Sequence, residues 1–76
     1  MMSKARGTLD YDLRTDSVYI RSLWCAYRLS AFEDFYAKLN GIWEPVVLLR
    51  DYGGWYIAHR DRPWMSRDIN GIKAKI

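Results

Sequence analysis

A chain of 76 residues makes one small domain. Such a domain buries only about 60–65% of its unfolded surface, and the usual staples are excluded: one cysteine, Cys25, closes no internal disulfide, and one histidine, His59, builds no zinc site with it. The formal charge of +3 is interleaved, with Arg50 beside Asp51, Arg60-Asp61-Arg62 and Arg67 beside Asp68, which argues against a phosphate-binding surface of uncompensated cations.

In chain order, Met1 to Gly7 carries Lys4 and Arg6 with no apolar stretch behind them. It reads as a flexible tail over 1–7, not a signal peptide, with a single domain over 8–76. Leu9, Tyr11 and Leu13 alternate with Asp10 and Asp12, the period of a half-buried strand, so a strand is predicted at 8–14. Asp10 and Asp12 also form a D-x-D pair, but with no third ligand in view they read as a solvated strand face.

Asp16 or Ser17 suits a helix cap, and Ile20, Leu23, Trp24 and Tyr27 follow at helical spacing, opposite Arg21, Cys25 and Arg28. The prediction there is an amphipathic helix over 18–29, with Cys25 a small, at least half-buried hydrophobe. Ser30-Ala-Phe-Glu33 has the capping-box pattern, Phe32, Phe35, Tyr36 and Leu39 form a second stripe, and Asn40-Gly41 supplies a stop. The two stripes lie roughly 120° apart on one ideal helix, at about 100° per residue, so two short helices broken near Ser30 are expected.

After Pro45, Val46 to Leu49 reads as a strand, Asp51-Tyr52-Gly53-Gly54 as a turn and Trp55 to His59 as the returning strand. Asn70-Gly71 suits a two-residue hairpin joining strands near 65–69 and 72–76, with Ile69 opposite Ile72, Asp68 opposite Lys73 and Met65 opposite Ile76. The predicted class is therefore α+β: a small antiparallel sheet of one N-terminal strand and two C-terminal hairpins, packed on two helices.

Chemistry is sparse. His59, the single histidine, stands without a partnered nucleophile, the five glycines form no phosphate-cradling loop, and no cofactor or metal motif occurs. His59 reads as structural or interfacial, and the chain as no enzyme. What stands out is an aromatic-rich stretch in which Trp43, Tyr52, Trp55, Tyr56 and Trp64 are interleaved with His59, Arg60 and Arg62. Trp, Tyr and Arg dominate binding hot spots because each joins a large contact area to a polar tip.

The favoured expectation is a small protein-binding module whose partner, another protein, meets Tyr52, Tyr56, Arg60, Arg62 and Trp64. Inhibitors and adaptors of phages and mobile elements share this profile of small size and few chemical groups. The alternative is a nucleic-acid-binding module that stacks bases on Trp55, Tyr56 and Trp64 and holds phosphates with Arg60, Arg62, Arg67, Lys73 and Lys75. Two apolar stripes pointing apart also predict a homodimer. The longest strongly apolar run, Val46 to Leu49, is far too short for a membrane span, and a lone thiol fits a reducing cytoplasm, so the expected location is cytoplasmic.

Overall fold

The computed structural model describes residues 5–76. Among them every regular element is a strand: β1 (Arg6–Asp12), β2 (Ser17–Arg21), β3 (Ala26–Arg28), β4 (Asp34–Leu39), β5 (Ile42–Asp51), β6 (Gly54–His59), β7 (Met65–Ser66) and β8 (Lys73–Lys75). All eight belong to one antiparallel sheet in the order β3-β2-β1-β8-β4-β5-β6-β7. The protein is all-β, and the α+β expectation with its two helices is wrong.

The first predicted helix is instead the β2–β3 hairpin. Val18 and Ile20 are fully buried while Tyr19 and Arg21 point the other way, the Arg21 guanidinium lying 4.7 Å from the Tyr19 ring centre. A tyrosine roofed by arginine is at home on a solvated face, so its apolar bulk does not break the strand alternation. Of the predicted stripe, Ile20 and Tyr27 pair across the hairpin, but Leu23 and Trp24 stand 93% and 90% exposed in its turn. That turn is tied by Ser22, whose amide donates to the Cys25 carbonyl (2.9 Å) and whose hydroxyl accepts from the Cys25 amide (3.2 Å). Cys25 is exposed, contrary to its expected burial.

The second predicted helix is a turn followed by β4. Glu33 does reach back to the Ser30 amide (2.8 Å), as a capping box requires, but its own amide donates to the Ser30 carbonyl (3.2 Å) and closes a four-residue turn. Phe32 takes φ 67° there, a costly conformation for a bulky residue, held by the hydrogen bond its amide donates to the Leu48 carbonyl (2.7 Å). Beyond the turn, Phe35 and Ala37 are buried and Tyr36 is 46% exposed, a two-residue period.

The strand expected at 8–14 is present as β1, though Leu13 lies beyond it and is 79% exposed. Residues 1–4 of the expected tail lie outside the described residues; Ala5 is buried, and Arg6 and Gly7 open β1. The hairpin after Pro45 also forms, as β5 and β6, with Leu48 opposite Ile57. The hairpin at Asn70-Gly71 does not. The two-residue hairpin occurs instead at Asn40-Gly41, whose positive φ angles (51° and 80°) suit a type I′ turn joining Leu39 to Ile42. Asn70-Gly71 makes only a turn, closed by the Ile72 amide on the Ile69 carbonyl (3.2 Å). Its groups are spent on β1 instead: the Asn70 side-chain oxygen accepts from the Tyr11 amide (2.8 Å), and the Gly71 amide donates to the Leu9 carbonyl (2.9 Å). Met65–Ser66 pairs with β6, and Lys73–Lys75 inserts between β1 and β4.

The result is two meanders, β1–β3 and β4–β7, stitched together by a three-residue strand. The sheet curls. In a flat sheet β1 and β5 would lie about 14 Å apart, three strand spacings, yet Asp16 at the β1–β2 turn pairs with Arg50 of β5 and accepts at its carbonyl from the Trp55 indole (3.2 Å). The inner face carries the core, including Leu9, Val18, Ile20, Phe35, Val46, Leu48 and Ile57. Each such side chain contributes about 1.5–3 kcal/mol by leaving water. Gly7 allows β1 and β2 to meet, since a Cβ there would stand 2.0 Å from the Arg21 carbonyl oxygen.

Candidate functional site

The five residues expected to form a partner site do not come together. Tyr52 is fully exposed in the β5–β6 turn. Arg60, Arg62 and Trp64 lie beyond the other end of β6, six residues or about 20 Å away along the strand. Tyr56 sits between, under the Arg67 guanidinium at 4.9 Å. The rings of the 43–64 stretch therefore make no aromatic cluster: Trp43 and Tyr56 are on the outer face, Trp55 packs against the core, and Trp64 borders a separate hollow.

The arginines of that stretch, and Arg67 just after it, are already partnered. Arg60 faces Asp34 (3.6 Å), Arg62 faces Glu44 (3.6 Å), Arg67 binds Asp51 (2.6 Å) and Arg50 binds Asp16. The carboxyls respond. Arg50, then the Tyr11 hydroxyl, hold Asp16 below the ordinary aspartate value, and Arg67, then the Gly53 amide, hold Asp51 below it. The D-x-D pair is likewise used up: Asp10 and Asp12 face Arg21 at 2.5 and 3.9 Å.

His59 is engaged at both nitrogens. Its side chain is only 4% exposed, Nδ1 accepts from the Asp61 amide (3.0 Å), and Nε2 faces Glu44 Oε1 (3.2 Å). With Nδ1 accepting, Nε2 carries the proton and donates to Glu44. The imidazole thus pins the 60–64 loop to β5, and neither nitrogen is left for a substrate. The adjoining hollow of about 240 Å³ is lined by Leu39, Asn40, Ile42, Trp64 and the paired Glu44, His59 and Arg62.

A different group of cations is free. Among the described residues, Arg6, Arg28, Lys38, Lys73 and Lys75 have no carboxylate within 4.0 Å. Arg28 lies on the edge strand β3. The other four converge on the middle of the outer face. Lys75 Nζ lies 4.4 Å from the Trp43 ring centre, Arg6 5.7 Å and Lys38 5.8 Å. Lys73 joins Arg6, Lys38 and Trp43 around a shallow hollow of about 310 Å³.

Strand register makes this cluster: Arg6 is opposite Lys75, Thr8 opposite Lys73, Tyr36 opposite Lys75 and Lys38 opposite Trp43. The Trp43 ring face offsets part of the mutual repulsion, and what remains is a concentrated positive potential. Beside it the outer face continues through Pro45, Val47, Leu49 and Tyr56, all half-buried. Sequence reasoning named Lys73 and Lys75 as phosphate contacts but did not join them to Arg6, Lys38 and Trp43, because the members are scattered over four strands. The local signals were the pairs Tyr36-x-Lys38 and Lys73-x-Lys75, each of which puts two side chains on one strand face.

No protein-family model, curated protein or solved structure matches this chain.

Proposed function

We propose that the protein binds nucleic acid through the outer face of β1, β8, β4 and β5. The observation that carries this reading is the convergence of Arg6, Lys38, Lys73 and Lys75, all without carboxylate partners, on Trp43. Cations with no internal counter-charge release bound counterions when they meet phosphate, which is the source of nucleic-acid affinity. Binding is non-enzymatic in this reading. Engaging three or four phosphates gives a slope of log K against log salt of roughly −2 to −3 for a single strand. Fluorescence anisotropy of labelled oligonucleotides across a salt series tests it, and binding that is absent or indifferent to salt would sink it.

A second reading, a protein-binding module, rests on a different surface. Leu23 and Trp24 project almost fully exposed from the β2–β3 turn, and an exposed Trp is a characteristic interface anchor. Its test is whether Trp24→Ala abolishes capture of a partner protein while the lysine variants retain it.

A further inference from the structure

Resting on the nucleic-acid reading above, we infer that the bound strand is single and that Tyr36 is the platform on which one of its bases stacks. Other rings with a place in the folded sheet are committed. Arg21, Arg50 and Arg67 lie over Tyr19, Trp55 and Tyr56 at 4.7–4.9 Å, and the hydroxyls of Tyr11 and Tyr27 donate to Asp16 and Glu33. Trp43 is capped by three cations. Tyr36 differs: it is 46% exposed and, among the described residues, has no cation over its ring and no hydrogen bond at its hydroxyl.

Its position fits the role. In register, Lys75 on β8 flanks it on one side and Pro45 on β5 on the other. A phosphate held by Lys75 and Arg6 therefore brings its own base over the Tyr36 ring, with the Pro45 ring continuing the apolar floor. This pairing of a cationic track with an adjacent aromatic face is how sequence-tolerant single-strand binders work.

Shape separates single strand from duplex. The cations rise from β1, β8 and β4, neighbouring strands at the centre of the sheet order, in a molecule that measures 31 × 30 × 19 Å. A duplex major groove is about 12 Å wide and admits a helix or a two-stranded ribbon, so a multi-stranded face of this breadth does not enter it. A duplex touches these cations along one backbone only and offers Tyr36 no unstacked base.

The test uses the whole chain with a labelled thymidine oligomer, a mixed-sequence duplex and inorganic polyphosphate as competitor. The single strand is expected to bind more tightly than the duplex. Tyr36→Ala and Tyr36→Leu are expected to weaken single-strand binding about tenfold, the lower part of the range for one stacked base, while Tyr36→Phe stays near wild type. Polyphosphate, which has no bases, should compete equally for the polyphosphate-accessible cations of wild type and Tyr36→Leu.

Salt-dependent binding that is the same in Tyr36→Leu and wild type would overturn the stacking platform and leave the nucleic-acid reading standing. Duplex binding as tight as single-strand binding would overturn the strand preference. No salt-dependent binding to any oligonucleotide removes both. Thermal unfolding of Tyr36→Leu, which keeps an apolar side chain on the strand, separates lost stacking from lost fold.

Discussion

Two basic regions of this molecule have opposite fates. Arg60, Arg62 and Arg67 are interleaved with aspartates in the sequence, yet each faces a carboxylate from elsewhere in the fold: Asp34, Glu44 and Asp51. Arg6, Lys38, Lys73 and Lys75 are scattered along the chain, yet they meet around Trp43 with no carboxylate among them. In a sheet, sequence neighbours point to opposite faces and partners come from adjacent strands. Charge balance read along the chain therefore says little about potential in space. Exposed ion pairs like those of Arg60 and Arg62 contribute only about 0–1 kcal/mol of stability, but they use up positive charge a ligand would need.

The contrast is broken most severely at the backbone. Gly7→Ala forces a Cβ against the Arg21 carbonyl beneath the free cations. It is expected to cost about 3 kcal/mol or more, in the range of the largest single-residue effects, read as a lowered midpoint in urea unfolding. Next, Lys38→Glu with Lys75→Glu reverses two of the four free charges and is expected to weaken oligonucleotide binding about a hundredfold at low salt, with a flatter salt slope. An unchanged affinity would place the ligand elsewhere.

Acid tests the compensated region. Asp12, held down first by the Arg14 amide, Asp16 and Asp51 all titrate below their ordinary values when folded. The unfolded chain, with aspartates near 3.9, takes up protons first, so this stabilisation is complete above about pH 4 and lost as pH falls through the lower folded values. Thermal midpoints should be level from neutrality to about pH 5 and drop below pH 4. The smallest effects sharpen the contrast. Arg60→Ala and Arg62→Ala should change oligonucleotide affinity less than about twofold, whereas Asp34→Asn, which releases Arg60 from its partner, should tighten binding by about that factor.

Legibility in the sequence followed the range of the interaction. β1 and the β5–β6 hairpin were readable because alternation and a Gly-Gly turn are local. Residues 17–39 were misread because the exposed Leu23, Trp24, Phe32 and Tyr36 were counted into apolar stripes. With Tyr19 and Tyr36 assigned to the solvent side, Val18/Ile20 and Phe35/Ala37/Leu39 alternate as strands. The two Asn-Gly pairs show the limit: both make turns, but only partners distant in sequence decide which one joins paired strands. The pairing of the expected site's arginines was hidden for the same reason, since the carboxylates that face Arg60 and Arg62 come from β4 and β5. The free cluster required knowing that β8 lies between β1 and β4, which no local pattern carries.

That placement of β8 also sets how the molecule must fold. Gly7 pairs with Ala74 across 67 residues, whereas the turns within each meander bring together residues only a few positions apart. Hairpins form in microseconds, but a sheet whose halves are joined by its most distant segments pays loop-closure entropy first and folds in milliseconds to seconds. Until β8 docks, the facing edges of β1 and β4 are open templates for another chain's strand, and exchange of β8 between two copies is the natural misassembly. Arg6, Lys38, Lys73 and Lys75 become neighbours only once β8 has docked. A ligand that needs all four would bind the finished sheet and no earlier species, and would slow its unfolding by holding the seam shut.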